Sequence, residues 1–272
     1  MPKVCLFVID PQVDFCEGGN LPVVGATADL ERLASMVTKF GGDIDDIQVT
    51  LDSHYHLHIA HTCMWVDKNG NHPVPVILRT GNTLPTPITA ADIAAKEWRA
   101  SNPGFQDRQA EYVQSLDKNA RYPLLIWPDH CIIGSDGAKI FPAFFDAMNG
   151  WETKYFAVAQ RTTKGSNMFT EHYSAVKADV EDPDDEKTGL NDKLIKTLKV
   201  YDKILIAGQA LSHCVANTIR DVADEFDVDQ IKKFVLLEDA SSSVAGCENM
   251  SSDFVTEMMG KGMTIAKTDS FF

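Results

Sequence analysis

Val4-Cys5-Leu6-Phe7-Val8-Ile9-Asp10-Pro11-Gln12-Val13-Asp14-Phe15 is the stretch that decides the fold. Six consecutive apolar residues without alternation read as a strand covered on both faces, and the run ends at an acid. A buried strand of this kind belongs to a parallel sheet. In an open parallel sheet the strand ends are where ligands bind.

The rest of the chain repeats the pattern. Ala26–Phe40 is patterned as an amphipathic helix, with Gly41-Gly42 as a stop signal. Ile47–Leu51 alternates as a strand ending at Asp52. Leu124–Trp127, Tyr155–Ala159, Ile204–Ala207 and Phe234–Leu237 continue the strand series. Helices are expected at Ala138–Met148, Asn191–Lys199, Leu211–Glu225 and Ser251–Lys261. Strands alternating with helices predict a three-layer α/β/α fold around a central, mostly parallel sheet. The stretch from about residue 66 to 122 interrupts the rhythm with Pro, Gly and Asn, then with helical segments near Ala91–Arg99 and Gln106–Leu116. It lacks the apolar residues for a core of its own, so the expectation is one domain over 1–272 carrying an insertion.

Reactive side chains gather at the ends of the apolar runs. Asp10 ends the first. Asp52 and His54 are two apart, on one face of an extended segment, and make a carboxylate–imidazole pair for a first-row metal. His56, His58 and His61 follow, and His130 is a candidate third ligand. Lys164 follows another run. Cys214 precedes Val215-Ala216-Asn217-Thr218-Ile219, a helix start, where the helix dipole and free N–H groups lower a thiol's pKa and can receive an oxyanion. Taken singly, each has a plainer explanation: an acid capping a loop, a solvated lysine, a hydrogen-bonded core histidine, a buried cysteine.

Together the segments resemble the nicotinamidase/pyrazinamidase group of the isochorismatase-like cysteine hydrolases. Asp10-Pro11-Gln12-Val13-Asp14-Phe15 with Gly18-Gly19-Asn20-Leu21 is similar to that family's D-x-Q-x-D-F-x-x-G-G-S-L pattern. Asp52-x-His54-x-x-x-His58, Trp127-Pro128-x-His130-Cys131, Lys164-Gly165 with Tyr173-Ser174-Ala175, and the Cys214 segment follow in the family's order. The resemblance implies a triad of Asp10, Lys164 and Cys214. It implies an oxyanion hole of the Ala210 and Cys214 N–H groups beside a cis Gln209–Ala210 bond. It also implies Phe15 and Trp127 flanking a substrate ring, and a divalent metal (zinc, iron or manganese) on Asp52, His54 and His130, with His58 a ligand or near neighbour. The activity implied is hydrolysis of nicotinamide to nicotinate and ammonia. Two departures stand out: Leu211-Ser212 replaces the family's Thr-Asp before the nucleophile, and the 66–122 stretch is long. A cysteine hydrolase of another small amide, carbamoyl or ureido, and a non-catalytic metal- or ligand-binding homologue are the alternatives.

Composition narrows the partners. A net charge of −14 repels nucleic-acid backbones and anionic lipid surfaces. No apolar run is long enough to span a bilayer. Met1-Pro2-Lys3-Val4 leads into a strand-like run without a signal-peptide pattern. The six cysteines are scattered, with no Cys-x-x-Cys pair, and are expected reduced. The expected setting is cytoplasmic and the expected partner a small-molecule amide, with a homo-oligomer left open.

Overall fold

The computed structural model describes residues 2–77, 83–119 and 122–272. Residues 78–82, 120 and 121 of the expected insertion lie outside the described residues.

Six parallel strands form the central sheet: β1 (Val4–Ile9), β2 (Asp46–Asp52), β3 (Gln160–Lys164), β4 (Lys203–Gly208), β5 (Phe234–Leu237) and β6 (Thr264–Ala266), in the order β6-β5-β4-β1-β2-β3. The pleat of β1 explains its unbroken apolar run. Val4, Leu6 and Val8 face one helical layer, α1 (Ala26–Phe40) and α2 (Pro142–Tyr155), meeting Leu30, Leu33, Phe144 and Met148. Cys5, Phe7 and Ile9 face the other layer, α3 (Asp192–Lys199), α4 (Ala216–Asp224) and α5 (Glu248–Lys261), through Leu198, Ile219 and Phe254. The expected three-layer fold is therefore observed.

The chain builds outward from β1 in one direction through β2 and β3, then returns beside β1 with β4 and builds the other way. The order reverses between β1 and β4, the place where an open α/β sheet offers a crevice. There Ile9 pairs with Gly208. A Cβ at Gly208 would lie 1.9 Å from the Ile9 carbonyl oxygen, so only glycine lets the two strands meet at this edge.

Several expected elements differ. Tyr155–Ala159 is not a strand: α2 continues to Tyr155, Phe156 closes it in the left-handed conformation, and the strand is the next segment, Gln160–Lys164. That strand is the sheet edge and is partly exposed, so its composition is polar and carries no apolar signal. The helix expected at Ala138–Met148 begins at Pro142, whose fixed φ suits a first helical position. Leu124–Ile126 is a strand, but it pairs antiparallel with Thr86–Ile88 outside the central sheet. Of the helix expected at Ala91–Arg99 only Ala90–Ala94 forms, and Trp98–Ala100 pairs instead with Trp65–Asp67. Before α4, Leu211–Val215 winds as a single wider turn.

A third apolar core lies outside the two sheet layers. Trp65, Ile88, Tyr112, Val113 and Leu116 of the 66–122 region and its border pack with Phe15, Leu124, Ile126, Trp127 and Ala210. Apolar side chains of the irregular stretch thus share a core with residues at the strand ends.

Candidate active site

Four strand ends deliver two carboxylates, an amine and a thiol. Asp10 follows β1, Asp52 ends β2, Lys164 ends β3 directly opposite Asp52, and the chain after β4 turns through Gln209 and Ala210 to Cys214. All four side chains are buried. The Lys164 Nζ lies 2.9 Å from Asp10 Oδ2, 3.0 Å from Asp52 Oδ1 and 3.7 Å from Cys214 Sγ, and donates to the His172 carbonyl at 2.8 Å. One ammonium therefore bridges two carboxylates and a thiol.

The electrostatics follow from that arrangement. Burial pushes the Asp10 carboxyl above its usual range, and the Asp52 charge adds to this against the pull of Lys164. Burial also raises the Cys214 thiol well above its ordinary value; Asp10 and Asp52 reinforce the rise while Lys164 opposes it. Cys214 therefore rests as a thiol beside an acceptor of raised basicity, a pair arranged for proton transfer. Burial disfavours the Lys164 cation, but Asp10, Asp52 and Cys214 outweigh it and hold the amine protonated.

The motif residues around the acid are struts. Gln12 clasps the Asp52 backbone in both directions: its amide donates to the Asp52 carbonyl at 2.7 Å and its carbonyl accepts the Asp52 N–H at 2.7 Å. Asp14 accepts from the N–H groups of Asn20 at 3.0 Å and Cys131 at 2.6 Å, and so fixes the loop that carries His130. A Cβ at Gly137 would strike the Asp14 carboxylate at 2.0 Å, so this position takes a glycine.

Asp52, His54 and His130 converge, with ligand atoms within 4.8 Å of one another. The His54 Nδ1 meets the Gly165 carbonyl at 2.9 Å and the His130 Nδ1 meets the Pro128 carbonyl at 2.9 Å. A ring nitrogen facing a carbonyl must carry the hydrogen, so in the neutral rings each Nε2 keeps its lone pair. Those atoms lie 3.1 and 3.5 Å from Asp52 Oδ2. Two lone pairs and a carboxylate oxygen aimed at one point call for positive charge between them, a bound cation or the proton that Asp52 favours on His54. The donor set thus fits a divalent metal, with both imidazoles oriented by backbone carbonyls. His58 does not join the cluster. Its ring packs 4.2 Å from that of His54, but its Nδ1 accepts the Ala60 N–H at 3.3 Å, which leaves the hydrogen on Nε2 and makes that atom a donor. His58 is a near neighbour.

A small pocket opens over Cys214, lined by Phe15, Trp127, His130, Tyr173, Ala210 and His213. The Trp127 indole N–H donates to the Tyr173 hydroxyl at 2.8 Å, locking two aromatic walls together. The Gln209–Ala210 bond is cis, and the Ala210 N–H has no acceptor among the described residues. Glu171 also lines the pocket, buried, with its carboxyl raised by burial. Sequence reasoning missed Glu171 and the lining role of His213. Glu171 sits in an irregular loop with no periodic pattern, and its only sequence signal is proximity to Tyr173. Asp29 was missed too. It looks like a surface acid on α1, yet it is buried and accepts from Gln209 Nε2 at 3.0 Å and Ser242 Oγ at 2.6 Å, bracing the turn before Ala210.

No family model matches the chain. It is similar to the nicotinamidase of Escherichia coli (strain K12), 23% identical over 222 residues that cover 81% of this chain and 76% of the relative. Among solved structures, the yeast nicotinamidase bound to the inhibitor nicotinaldehyde superposes with a TM-score of 0.63 at 18% identity, covering 97% of this chain and 99% of that one. The pyrazinamidase of Pyrococcus horikoshii in complex with zinc gives a TM-score of 0.55 at 19% identity, covering 98% and 99%. The resemblance drawn from the motifs is borne out by these relatives, and the fold is theirs.

Proposed function

We propose that the chain is a metal-containing cysteine amidohydrolase that converts nicotinamide to nicotinate and ammonia through a thioester on Cys214. The observation that carries the proposal is the Lys164 ammonium, in reach of Asp10, Asp52 and Cys214 at one sheet edge. The nicotinamidase relatives supply the substrate, and the zinc-bound pyrazinamidase makes zinc the favoured metal.

Asp10 takes the Cys214 proton as sulfur attacks the amide carbonyl carbon. The carbonyl oxygen gains negative charge and is met by the N–H groups of Ala210 and Cys214. Asp10 returns the proton to the departing nitrogen, the C–N bond breaks and ammonia leaves. Water, deprotonated by Asp10, then attacks the thioester and restores the thiol. Lys164 keeps Asp10 ionised before the transfer and offsets charge on sulfur. Phe15 and Trp127 hold the ring. Asp52, His54 and His130 would hold the metal, which when bound supplies a Lewis-acidic anchor for the pyridine nitrogen. We read residues 66–122 as an insertion within one domain that packs behind the pocket wall.

Cys214→Ala tests this. The folded variant should lose ammonia release from nicotinamide by roughly a million-fold, the scale at which removing a nucleophile acts. Turnover near the parent rate would remove Cys214 from the chemistry.

A further inference from the structure

Asp29, in the first turn of α1, is buried and yet does not line the pocket. Its Oδ2 accepts from Gln209 Nε2 at 3.0 Å and from Ser242 Oγ at 2.6 Å, while its Oδ1 accepts from Arg32 Nη2 at 2.6 Å. The two neutral partners are the residues that hold Ala210. Gln209 precedes Ala210, and its Oε1 accepts the Ser242 N–H at 3.3 Å. On the other side, the Leu211 N–H donates to the Ser242 carbonyl at 2.8 Å. Ser242 thus clamps both chain neighbours of Ala210, and Asp29 ties the clamp to α1. Just beyond, the Val244 N–H donates to Ser212 Oγ at 3.1 Å, so segment 242–244 is laced to segment 209–212.

The Ala210 carbonyl is taken up by the N–H groups of His213 and Val215, at 3.0 and 3.1 Å, the two residues that flank the nucleophile. Its own N–H has no acceptor among the described residues. Ala210 is therefore tied to the Cys214 turn through its carbonyl and to Ser242 through its neighbours, with one donor left over. Under the hydrolase reading, on which this inference rests, that donor meets the developing oxyanion. Such a donor stabilises the transition state only if it is aimed beforehand. A displacement of about 1 Å can cost about 100-fold in rate. We propose that Asp29 is a positioning residue: through Gln209 and Ser242 it aims the Ala210 N–H at the substrate carbonyl oxygen. The acceptor oxygen does this rather than the charge, since both partners are neutral donors and Arg32 meets the charge from the other side.

Three variants of the full chain test it. Asp29→Leu removes the acceptor. Asp29→Asn keeps one oxygen for Gln209 and Ser242 while Arg32, half-exposed, turns to water. Ser242→Ala deletes one of the two donors and keeps its backbone bonds. With nicotinamide, Asp29→Leu should lower kcat by roughly 10- to 100-fold with KM changed by less than about 3-fold. Asp29→Asn should recover most of that loss, and Ser242→Ala should lower kcat by roughly 2- to 5-fold. Nicotinaldehyde reads the same donor without turnover. The Cys214 sulfur bonds to the aldehyde carbon, the thiol proton passes to the aldehyde oxygen, and that oxygen takes the place of the oxyanion. Its inhibition constant should rise in step with the loss of kcat. Iodoacetamide alkylation of Cys214 displaces iodide from a saturated carbon and forms no oxyanion, so its rate should match the parent's. Parent-like kcat in a folded Asp29→Leu, or in Ser242→Ala should Asp29→Leu fail to fold, overturns the proposal. So does an Asp29→Asn as slow as Asp29→Leu, or alkylation that falls in step with kcat, which would mark a general loosening of the site. A parent that releases no ammonia from nicotinamide sinks the hydrolase reading and this proposal with it; an active parent beside an unimpaired Asp29→Leu sinks this proposal alone.

Discussion

The floor of the pocket and its wall are built by different means. The floor is Asp10, Asp52, Lys164 and the turn to Cys214, each at the end of a parallel strand whose register is fixed by its neighbours. The wall is Trp127, Tyr173, Glu171 and His213, on loops and turns propped by the 66–122 region, where the Tyr112 hydroxyl accepts the Glu171 N–H at 3.0 Å. A floor set by sheet register cannot shift one side chain without shifting a strand. A wall of loops can exchange one contact at a time. Chemistry on the floor and selectivity on the wall is the division this construction invites, and substitutions in the two regions should separate accordingly.

The largest effect is expected at the centre of the floor. Lys164→Met leaves Asp10 and Asp52 buried without their shared cation, so unfolding experiments should report a loss of about 3–5 kcal/mol along with loss of turnover. A stable, active Lys164→Met protein would break the comparison at its strongest point. Gln12→Ala comes next. It strips two 2.7 Å hydrogen bonds from the Asp52 backbone, and denaturant titration should show about 2–3 kcal/mol of destabilisation. Metal content should fall with it, because the Asp52 carboxylate loses its support; full occupancy would show that the clasp is not what places Asp52. The smallest effect belongs to the wall. Tyr112→Phe removes one acceptor from the Glu171 N–H, about 1 kcal/mol, and should raise KM several-fold with kcat nearly unchanged. A fall in kcat at constant KM would place Tyr112 with the floor.

The floor was legible in the sequence for the same reason that it is rigid. A strand buried on both faces must be apolar throughout, so Val4–Ile9 and Ile204–Ala207 announce themselves, and Asp10 after the first run is conspicuous. The edge strand Gln160–Lys164 escaped because one of its sides meets solvent and its composition is polar. Within the wall, the aromatic positions Trp127 and Tyr173 were visible in motifs. Glu171, the lining role of His213 and the bracing role of Asp29 were not. Their significance lies in hydrogen bonds to residues far away in sequence, such as Asp29 to Gln209 and Ser242, and no local pattern encodes such a contact. The tautomers of His54, His58 and His130 were equally hidden, since each is set by a backbone group that the fold alone brings near.

The central claim is that acyl transfer passes through Cys214 on the floor, and a partition experiment addresses it directly. Nicotinamide and methyl nicotinate are each supplied to the parent enzyme in the presence of hydroxylamine, and the ratio of nicotinohydroxamate to nicotinate is measured. A common Cys214 thioester predicts the same ratio from both substrates, because the leaving group has departed before water and hydroxylamine compete. Ratios that differ between amide and ester would mean that no shared acyl-enzyme exists, and would contradict the account.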